Sequence, residues 1–566
     1  MKNSSPKLFT RFWSMLRPDT KEIRNIYLFS VLSGILSLGL PLGIQMIINF
    51  IELGQMSTSW FVLVLLVVLS LGFSGVLNIF QLRITENLQQ RIFTRSAFEF
   101  AERIPHIKLT ELLKKYATDL THRFFDTLTI QKGLSKLLID FTASILQLVF
   151  CLILLSFYHS FFIFLGVFLV FTLILIVRFT VQRGMQTSLE ESSYKYKIAH
   201  WLKEVSQARF SFGLSGKNKL HISRTDSHLN GYLTARDEHF KVLVKQYIYL
   251  IVFKVIIALV FLIIGGLLVI NQQMNIGQFV ASEIIILLVL SAVEKLILSV
   301  EVVYDVLTAI EKISQVTDLE LEDEMSNGYQ LASSEGFSVQ LENVSYHIQD
   351  FDMNVLSNIS CQIKQNEKVC IVSDSSVSSN LLFHLIVGLT EPGQGTISFN
   401  ELPIENLNKE FLRGQIGAVV DQDLLIFGSV IDNISFGRNH IDLKRIEEEV
   451  AELELKPFIQ ALPHKYESVL NADVQFIPRD IVKKILIARA MIGDPRLVLL
   501  EEPSAGLTSR QKNTILNRIL KENQSTLIVA SSDLEVIRRF PRIIEIFEGA
   551  IVFDGNYETF KLKNPC

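Results

Sequence analysis

A serine-rich loop after an apolar strand is the feature of this sequence with the most evident chemistry. A strand is predicted at the end of Ile363–Val372, the residues Ser-Asp-Ser-Ser-Val-Ser-Ser-Asn follow over 373–380, and a helix is predicted over Leu381–Leu389. In a strand, small-residue loop and helix, free backbone amides and the helix dipole can bind a phosphate. The order predicts an anion site, but the loop lacks the glycines and the lysine of the usual phosphate-binding loop.

Charged residues inside long apolar stretches are a second candidate site. Glu283 and Glu294 lie in such a stretch, and Lys254 lies in the one before it. A charged side chain at the centre of a membrane helix costs about 2.5–3.5 kcal/mol, so it usually faces a bundle interior or a water-filled path. Glu283 and Glu294 are therefore candidates for lining a path. Lys254 is near the end of its stretch, so we expect it to extend to the interface.

The composition shows which class of chain must position these residues. Of 566 residues, 49% are hydrophobic, 20% are charged and 40 are phenylalanine. This excludes a fully soluble protein and an intrinsically disordered one. Four cysteines are too few for a disulfide scaffold, and a net charge of -4 gives no reason to expect nucleic acid as a partner.

Six apolar segments are long enough to cross a membrane. A span needs about 20 mostly apolar residues for a hydrocarbon core of about 30 Å. The predicted spans are Tyr27–Ile51, Trp60–Phe80, Leu138–Tyr158, Phe161–Val181, Tyr247–Ile270 and Gly277–Val300.

The distribution of basic residues predicts the orientation of these spans. Lysine and arginine are concentrated before the first span and in the two long stretches at about 81–137 and 182–246. The short connections Glu52–Ser59, His159–Ser160 and Asn271–Ile276 contain none. By the positive-inside rule, both termini and both long stretches are cytoplasmic. The long stretches have helical periodicity and are predicted to continue the spans.

The chain therefore divides into a membrane part and a soluble part. The predicted boundaries are a cytoplasmic segment over 1–26, a six-span domain over 27–315, an acidic linker over 316–335 and a second domain over 336–566. The predicted fold class is an α-helical polytopic membrane domain followed by an α/β domain.

Several motifs follow the six spans in an order that carries a family resemblance. The segments are Leu341–Ser345, Glu367–Val369, Ile416–Gln422, Asp432–Ile434, Ile487–Ala490, Asp494–Pro495 and Leu497–Leu507. With these segments in this order, the chain resembles an exporter-type half-transporter of the ATP-binding cassette (ABC) family. Leu40–Gln45 and Gln89–Phe93 are most similar to bacterial exporters of the type I secretion kind.

The resemblance implies a fold, cofactors and partners. It implies an α/β P-loop NTPase-like cassette that uses ATP and Mg²⁺, with each nucleotide site shared between two cassettes. The implied partners are a second half-transporter, identical or different, and the lipid bilayer of the inner membrane. The type I likeness alone implies a periplasmic adaptor protein.

The aligned phosphate loop departs from the family pattern. Its two glycines are replaced by Ser373 and Ser378, its lysine by Ser379 and its magnesium-binding hydroxyl residue by Asn380, with Ser375 and Ser376 between them. Serine supplies no positive charge, and a Cβ resists positive φ and close approach. We expect ATP affinity to be lowered by orders of magnitude or lost.

The remaining family positions are partly retained. The glutamine that senses magnesium is Gln422, the magnesium-site aspartate is replaced by Glu501, and the general base aligns with Glu502. The base-stacking aromatic position is Ile348, with Tyr346 two residues earlier as a substitute.

Three further family positions are substituted. The signature sequence aligns with Ile477–Ile481, which places Asp480 where a phosphate is expected. The aspartate of the dimer-contact loop becomes Thr508, and the switch histidine becomes Ser531.

Three functions are compatible with these residues. The first is an exporter subunit with weak or no ATP hydrolysis by its own cassette. The second is an exporter that still binds or slowly hydrolyses ATP through an altered site with Glu502 and Gln422. The third is a non-transporting scaffold or regulator of a partner transporter.

Overall fold

The computed structural model describes residues 4–52, 58–114, 117–322, 328–331, 335–348, 353–420, 424–438, 440–471 and 477–563. The chain forms two compact units, and each is described by itself. The first, the membrane unit, comprises Met1–Ile107 and Glu111–Glu320, and the second, the cassette, comprises Lys108–Thr110 and Leu321–Cys566.

Helices make up the first part of the chain. Their bounds are α1 Ser4–Leu16, α2 Thr20–Ser37, α3 Gly39–Glu52, α4 Thr58–Arg103, α5 Leu109–Lys114, α6 Ala117–His122, α7 Asp126–Lys136, α8 Thr142–Ser156, α9 Phe161–Gln207, α10 Arg209–Leu214, α11 Leu220–Ile270 and α12 Ile276–Thr317.

The described residues contain six helical segments long and apolar enough to cross a membrane. They are Thr10–Glu52, Thr58–His106, Leu120–Ser156, Phe161–Gln207, Leu220–Ile270 and Ile276–Thr317. Each contains or closely overlaps one predicted span, which confirms the six-span fold class. Helices α4, α9 and α11 continue well past their apolar parts, as the helical periodicity predicted.

The core of the membrane unit lies between α8, α9, α11 and α12. Leu148, Leu169, Ile257 and Val289 belong to one apolar cluster in which each is almost fully buried. Half of the apolar window of α12 is buried, whereas none of the corresponding window of α4 is. Helix α12 is therefore the central element of this unit.

The cassette has α/β architecture. Its strands are β1 Val339–Ile348, β2 Met353–Ile363, β3 Lys368–Ser373, β4 Gln394–Phe399, β5 Leu402–Pro403, β6 Ile416–Val419, β7 Gly428–Ser429, β8 Val469–Leu470, β9 Leu497–Glu501, β10 Thr526–Ala530, β11 Arg542–Phe547 and β12 Ala550–Gly555. Its helices are α13 Ser376–Ile386, α14 Lys409–Gly414, α15 Val430–Ser435, α16 Leu443–Glu452, α17 Lys456–Ala461, α18 Arg479–Met491, α19 Ser509–Lys521, α20 Leu534–Ile537 and α21 Tyr557–Lys563.

Two larger sheets position the candidate site within the cassette. One has the strand order β12-β11-β3-β10-β9-β6, in which β3 is paired in parallel with both β10 and β11. The other is antiparallel, with the order β2-β1-β4-β5. Parallel strands of the first sheet end at one edge, so the residues after β3, β9 and β10 come together there.

Candidate functional site

The serine-rich loop lies between β3 and α13 at the carboxyl edge of the parallel strands. The strand ends at Ser373 and the helix begins at Ser376, so the predicted order of strand, loop and helix is present. The predicted helix start at Leu381 is wrong by five residues. The side chain of Ser375 accepts a hydrogen bond from the Val377 amide at 3.2 Å and caps the helix, which explains the early start.

Backbone amides of this loop are already bonded within the chain. The Asp374 amide donates to the carbonyl of Ile546 at 3.3 Å, and the Ser378 amide donates to the carbonyl of Ser375 at 3.2 Å. The Ser375 amide donates to Ser373 Oγ at 3.3 Å, and the Val377 amide donates to Ser375 Oγ. A phosphate that used these four amides would have to displace hydrogen bonds to the chain's own oxygens.

The hydroxyls of the loop are also engaged in internal contacts. Ser378 Oγ donates to the Val355 carbonyl at 3.3 Å, and Ser379 Oγ lies 3.1 Å from the Ser376 carbonyl and 3.2 Å from Glu501 Oε1. Ser378, Ser379 and Glu501 are each at most 5% exposed. The side-chain oxygen of Asn380 is buried with no hydrogen-bond partner among the described residues.

Glu502 follows β9 and is held by the segment after β10. Its backbone φ is +39°, and its amide donates to the Ala530 carbonyl at 2.8 Å. Ser531 Oγ donates to one carboxylate oxygen at 3.1 Å, while the amide and hydroxyl of Ser532 donate to the other at 2.7 and 3.0 Å. Both oxygens of Glu502 therefore accept hydrogen bonds from the serines that stand at and beside the switch position.

The charge of Glu502 affects a buried cysteine in β3. Cys370 is fully buried, and burial together with the nearby Glu502 carboxylate raises the pKa of its thiol to about 12. This thiol stays protonated at neutral pH and does not act as a nucleophile.

The segment aligned with the signature sequence is joined to the dimer-contact position by one glutamine. Asp480 lies in the first turn of α18 and accepts a hydrogen bond from Gln511 Nε2 at 2.7 Å. The other end of Gln511 accepts from the amide and hydroxyl of Thr508, the N-cap of α19, at 3.0 and 2.9 Å. The carboxylate of Asp480 therefore stands at the positive end of α18, where an external anion is expected in the family.

The sequence did not predict Gln511 or Ser532 as parts of this site. Both are bridging residues with no motif of their own, although the Thr-x-x-Gln spacing at 508–511 is a capping-box signal that could have identified Gln511. Gln422 lies outside the described residues. Tyr346 and Ile348 both lie on β1, where each packs in part against an apolar cluster of the cassette.

The two acidic candidates of the membrane unit both lie on α12. Glu294 forms an ion pair with Lys254 of α11, and Glu283 is half-buried. Lys254 therefore has a partner on the neighbouring helix, and its extension to the interface stays a prediction. The register between α11 and α12 sets this pairing, and the sequence does not contain that register.

Glu283 and Glu294 belong to a longer row on α12. The row, which we call the acidic stripe, has spacings of three and four residues and thus occupies one face of the helix. Every side chain in it is half-exposed or exposed, in contrast to the buried opposite face. Its members are Glu283, Leu287, Ser291, Glu294, Leu298, Glu301 and Asp305.

Comparisons with known proteins place both units in one family. The family model described as ABC transporter transmembrane region matches residues 23–205, and the model described as ABC transporter matches residues 356–505. Together the two matches cover more than half of the chain. The solved structure of a bacterial Atm1-family ABC exporter with ATP bound superposes with a TM-score of 0.85 at 16% identity, over 96% of this chain and 97% of that one.

Curated relatives are similar over part of their length. The Lactococcin-A transport/processing ATP-binding protein LcnC of Lactococcus lactis is 24% identical over 303 residues, which are 53% of this chain and 42% of that protein. The ATP-dependent lipid A-core flippase of Saccharophagus degradans is 28% identical over 255 residues, 45% of this chain and 43% of that protein. The chain thus matches less than half of the length of each. It belongs to the ABC transporter family and has the architecture of an exporter-type half-transporter.

Proposed function

We propose that this chain is a transport subunit of an ABC exporter whose own cassette does not hydrolyse ATP. The observation that carries the proposal is the set of amides in the serine-rich loop that donate to Ser373, Ser375 and Ile546. In the family these amides hold the phosphates of ATP, and a lysine neutralises them. The residues present here do not fit a nucleotide, because four of the loop amides donate within the chain, no lysine is present, and Ser379 faces the Glu501 carboxylate.

The signature segment supports the same conclusion. A helix N-terminus attracts an anion through its free amides and its dipole. At α18 the chain's own Asp480 provides the negative charge, and Gln511 fixes its position. A phosphate brought to this end would meet a carboxylate, which repels it.

The candidate general base, Glu502, is also held by hydrogen bonds within the cassette. A general base must be able to come within hydrogen-bond reach of the proton that it removes. Hydrogen bonds from Ser531 and Ser532 reach both oxygens of Glu502, so the carboxylate is stabilised as an acceptor within the cassette. We therefore assign Glu502 a structural role rather than catalysis.

The membrane unit supports a transport role through the acidic stripe. The two carboxylates of the stripe inside the predicted span, Glu283 and Glu294, would each cost a few kcal/mol in contact with lipid tails, and Glu301 and Asp305 continue the same face beyond the span. The apolar window of α12 is the most buried of those of the six candidate spans. We propose that the stripe, with Glu283 and Glu294, lines a water-filled path, which requires a second half-transporter to enclose it.

The orientation and the cargo are further parts of the proposal. The concentration of lysine and arginine in the two long stretches supports cytoplasmic termini and an inner-membrane location.

Similarity to a lactococcin transport protein supports a type I secretion-like role with an adaptor partner. Comparing the peptides released by cells with and without this chain tests the cargo, and an unchanged peptide profile argues against secretion.

ATP binding is the direct test of the cassette. We expect the purified full-length chain in detergent, with Mg²⁺, to show no saturable binding of labelled ATP up to millimolar concentration, a limit of about 4 kcal/mol. The variant Ser373→Gly, Ser378→Gly, Ser379→Lys restores the charge and the two glycines and is expected to bind more tightly. Saturable binding by the unmodified chain below millimolar ATP contradicts the proposal. Thermal unfolding of both proteins controls for folding.

Thiol accessibility tests the path. We expect Glu283→Cys to react with a membrane-impermeant cationic thiosulfonate at least tenfold faster than Phe171→Cys, because the reactive thiolate forms only in contact with water. Phe171 is a matched control, since it is 63% exposed in an apolar part of α9. The unmodified chain sets the background from its own cysteines. Equal and slow reaction at both positions would place the stripe in lipid or protein instead of water.

A further inference from the structure

Helices α9, α11 and α12 enclose a line of buried polar side chains that the proposed function does not use. We call this line the polar seam, and none of its members is more than 9% exposed. Thr187 Oγ1 lies 2.8 Å from His239 Nδ1, and Gln246 Nε2 donates to the hydroxyl of Tyr304 at 3.0 Å. The members are Thr187, Ser188, Glu191, His239, Gln246, Tyr304 and Thr308.

His239 occupies the centre of the polar seam. It is 1% exposed, and its ring meets the Tyr304 ring edge-on with 6.2 Å between centroids. The approach of Tyr304 depends on Gly184, where a Cβ would lie 2.5 Å from the tyrosine ring. The imidazole of α11 therefore contacts Thr187 of α9 and Tyr304 of α12 and is not in contact with bulk water.

The hydrogen bonds of Thr187 favour one arrangement of the protons on His239. The Thr187 hydroxyl lies 3.0 Å from the backbone carbonyls of Arg183 and of Gly184, which can only accept. A hydroxyl has one proton to donate, and when that proton is directed at these carbonyls the hydroxyl accepts from the ring. In that arrangement the neutral ring carries its proton on Nδ1, and a second proton adds to Nε2.

The charges around the ring are balanced when His239 is neutral. Glu191 and Lys195 of α9, Arg236 of α11 and Glu301 of α12 act on it. Glu191 accepts from Arg236 at 3.1 Å and from Lys195 at 3.0 Å.

Two other ionisable groups on α12 need to be considered beside the ring. The Tyr304 hydroxyl is neutral at physiological pH because burial raises its pKa, and desolvation by the surrounding helices, together with the nearby Glu301, raises the pKa of the Asp305 carboxyl and so disfavours its negative charge. A proton on Nε2 would therefore place an unbalanced positive charge in a dry site, which is unfavourable.

We propose that His239 is a pH-sensitive latch that holds α11 against α9 and α12 when its ring is neutral and releases α11 when the ring is protonated. The closed polar seam binds fewer protons than an opened, hydrated one, so a fall in pH favours the opened form. A hydrated histidine takes up its proton near pH 6.5, and the opening begins below that value. This latch lies wholly in the membrane unit and does not depend on whether the cassette binds ATP.

Hydrogen exchange of the full-length chain in detergent tests the latch. We expect peptides covering 184–192 and 235–246 to lose at least tenfold in protection between pH 7.5 and pH 5.5, after correction for the intrinsic exchange rates. Peptides from the cassette serve as an internal reference. Equal protection of the polar seam at the two pH values overturns the proposal without any variant.

Substitution of the histidine locates the effect. His239→Asn retains an N–H near the Nδ1 position and cannot be protonated, so we expect the closed form at both pH values. His228→Asn, on the same helix, is the matched control and is expected to keep the acid response. An acid response that persists in His239→Asn overturns the assignment to this residue. If that variant does not fold, the comparison of the unmodified chain at the two pH values still decides the proposal.

Discussion

Replacing Arg518 by methionine is expected to destabilise the cassette by about 3–5 kcal/mol, because it leaves a buried carboxylate without its partner. Arg518 of α19 and Glu449 of α16 are 6% and 2% exposed. Arg518 Nε donates to Glu449 at 2.9 Å and Nη2 donates at 2.8 Å, so both ends of the carboxylate are bound. Urea unfolding of the full-length chain in detergent, followed by proteolysis of the cassette, measures the loss.

An exposed pair between the same two helices is the matched control. Lys521 of α19 contacts Glu452 of α16, and their side chains are 67% and 42% exposed. Lys521→Met is expected to cost less than about 1 kcal/mol, since water already solvates both charges. If Arg518→Met costs no more than this control, the buried pair does not stabilise the cassette.

The pH dependence of the Arg518→Met deficit gives a second check. Burial raises the pKa of the Glu449 carboxyl, and the hydrogen bonds and charge of Arg518 act in the opposite direction. Without Arg518 the raised pKa lets the buried carboxyl keep a proton at mildly acid pH. The stability that this proton on Glu449 gives to the variant is present at low pH and is lost as the pH rises. We therefore expect a smaller deficit at pH 5 than at pH 8.

The sequence predicted features whose signals are local. Each membrane span is a continuous apolar segment, so its length and position could be read directly. The order of strand, loop and helix around Ser373 could also be predicted, because a strand that ends in small residues before an apolar helix has few other interpretations. The helix start was misplaced because a serine both caps helices and is common in loops, so a run of serines does not mark where α13 begins.

Contacts between distant elements could not be predicted in this way. The pairing of Lys254 with Glu294 depends on how α11 and α12 slide past each other, a register that each helix alone does not contain. The bonds from Ser531 and Ser532 to Glu502 join residues after two separate strands. The family resemblance marks Ser531 as substituted and Glu502 as retained. It does not show that the two side chains are hydrogen-bonded to each other.

Gly417→Ala is the second change expected to have a large effect. Gly417 lies in β6 at the point where the buried α18 packs on the parallel sheet, and a Cβ there would be 2.0 Å from the Ala490 carbonyl oxygen and 2.8 Å from its carbon. These are backbone atoms of a helix, so no side chain can rotate away. Overpacking of a core usually costs about 1–3 kcal/mol and more where the backbone must move, and we expect about 3 kcal/mol or more here.

Gly414→Ala separates this clash from a general effect of alanine. Gly414 ends α14, three residues earlier, and a Cβ there meets nothing within 4 Å, so this variant should unfold at the same urea concentration as the unmodified chain. Hydrogen exchange adds a local measurement. In Gly417→Ala the amides of α18 should lose protection before those of β1 and β2, because the displaced helix carries Ala490. Since α18 also carries Asp480, the same variant should weaken the bond to Gln511. Unchanged protection of α18 would mean that the helix can move away from β6 at little cost, so the contact between Gly417 and Ala490 would not fix the position of the signature segment.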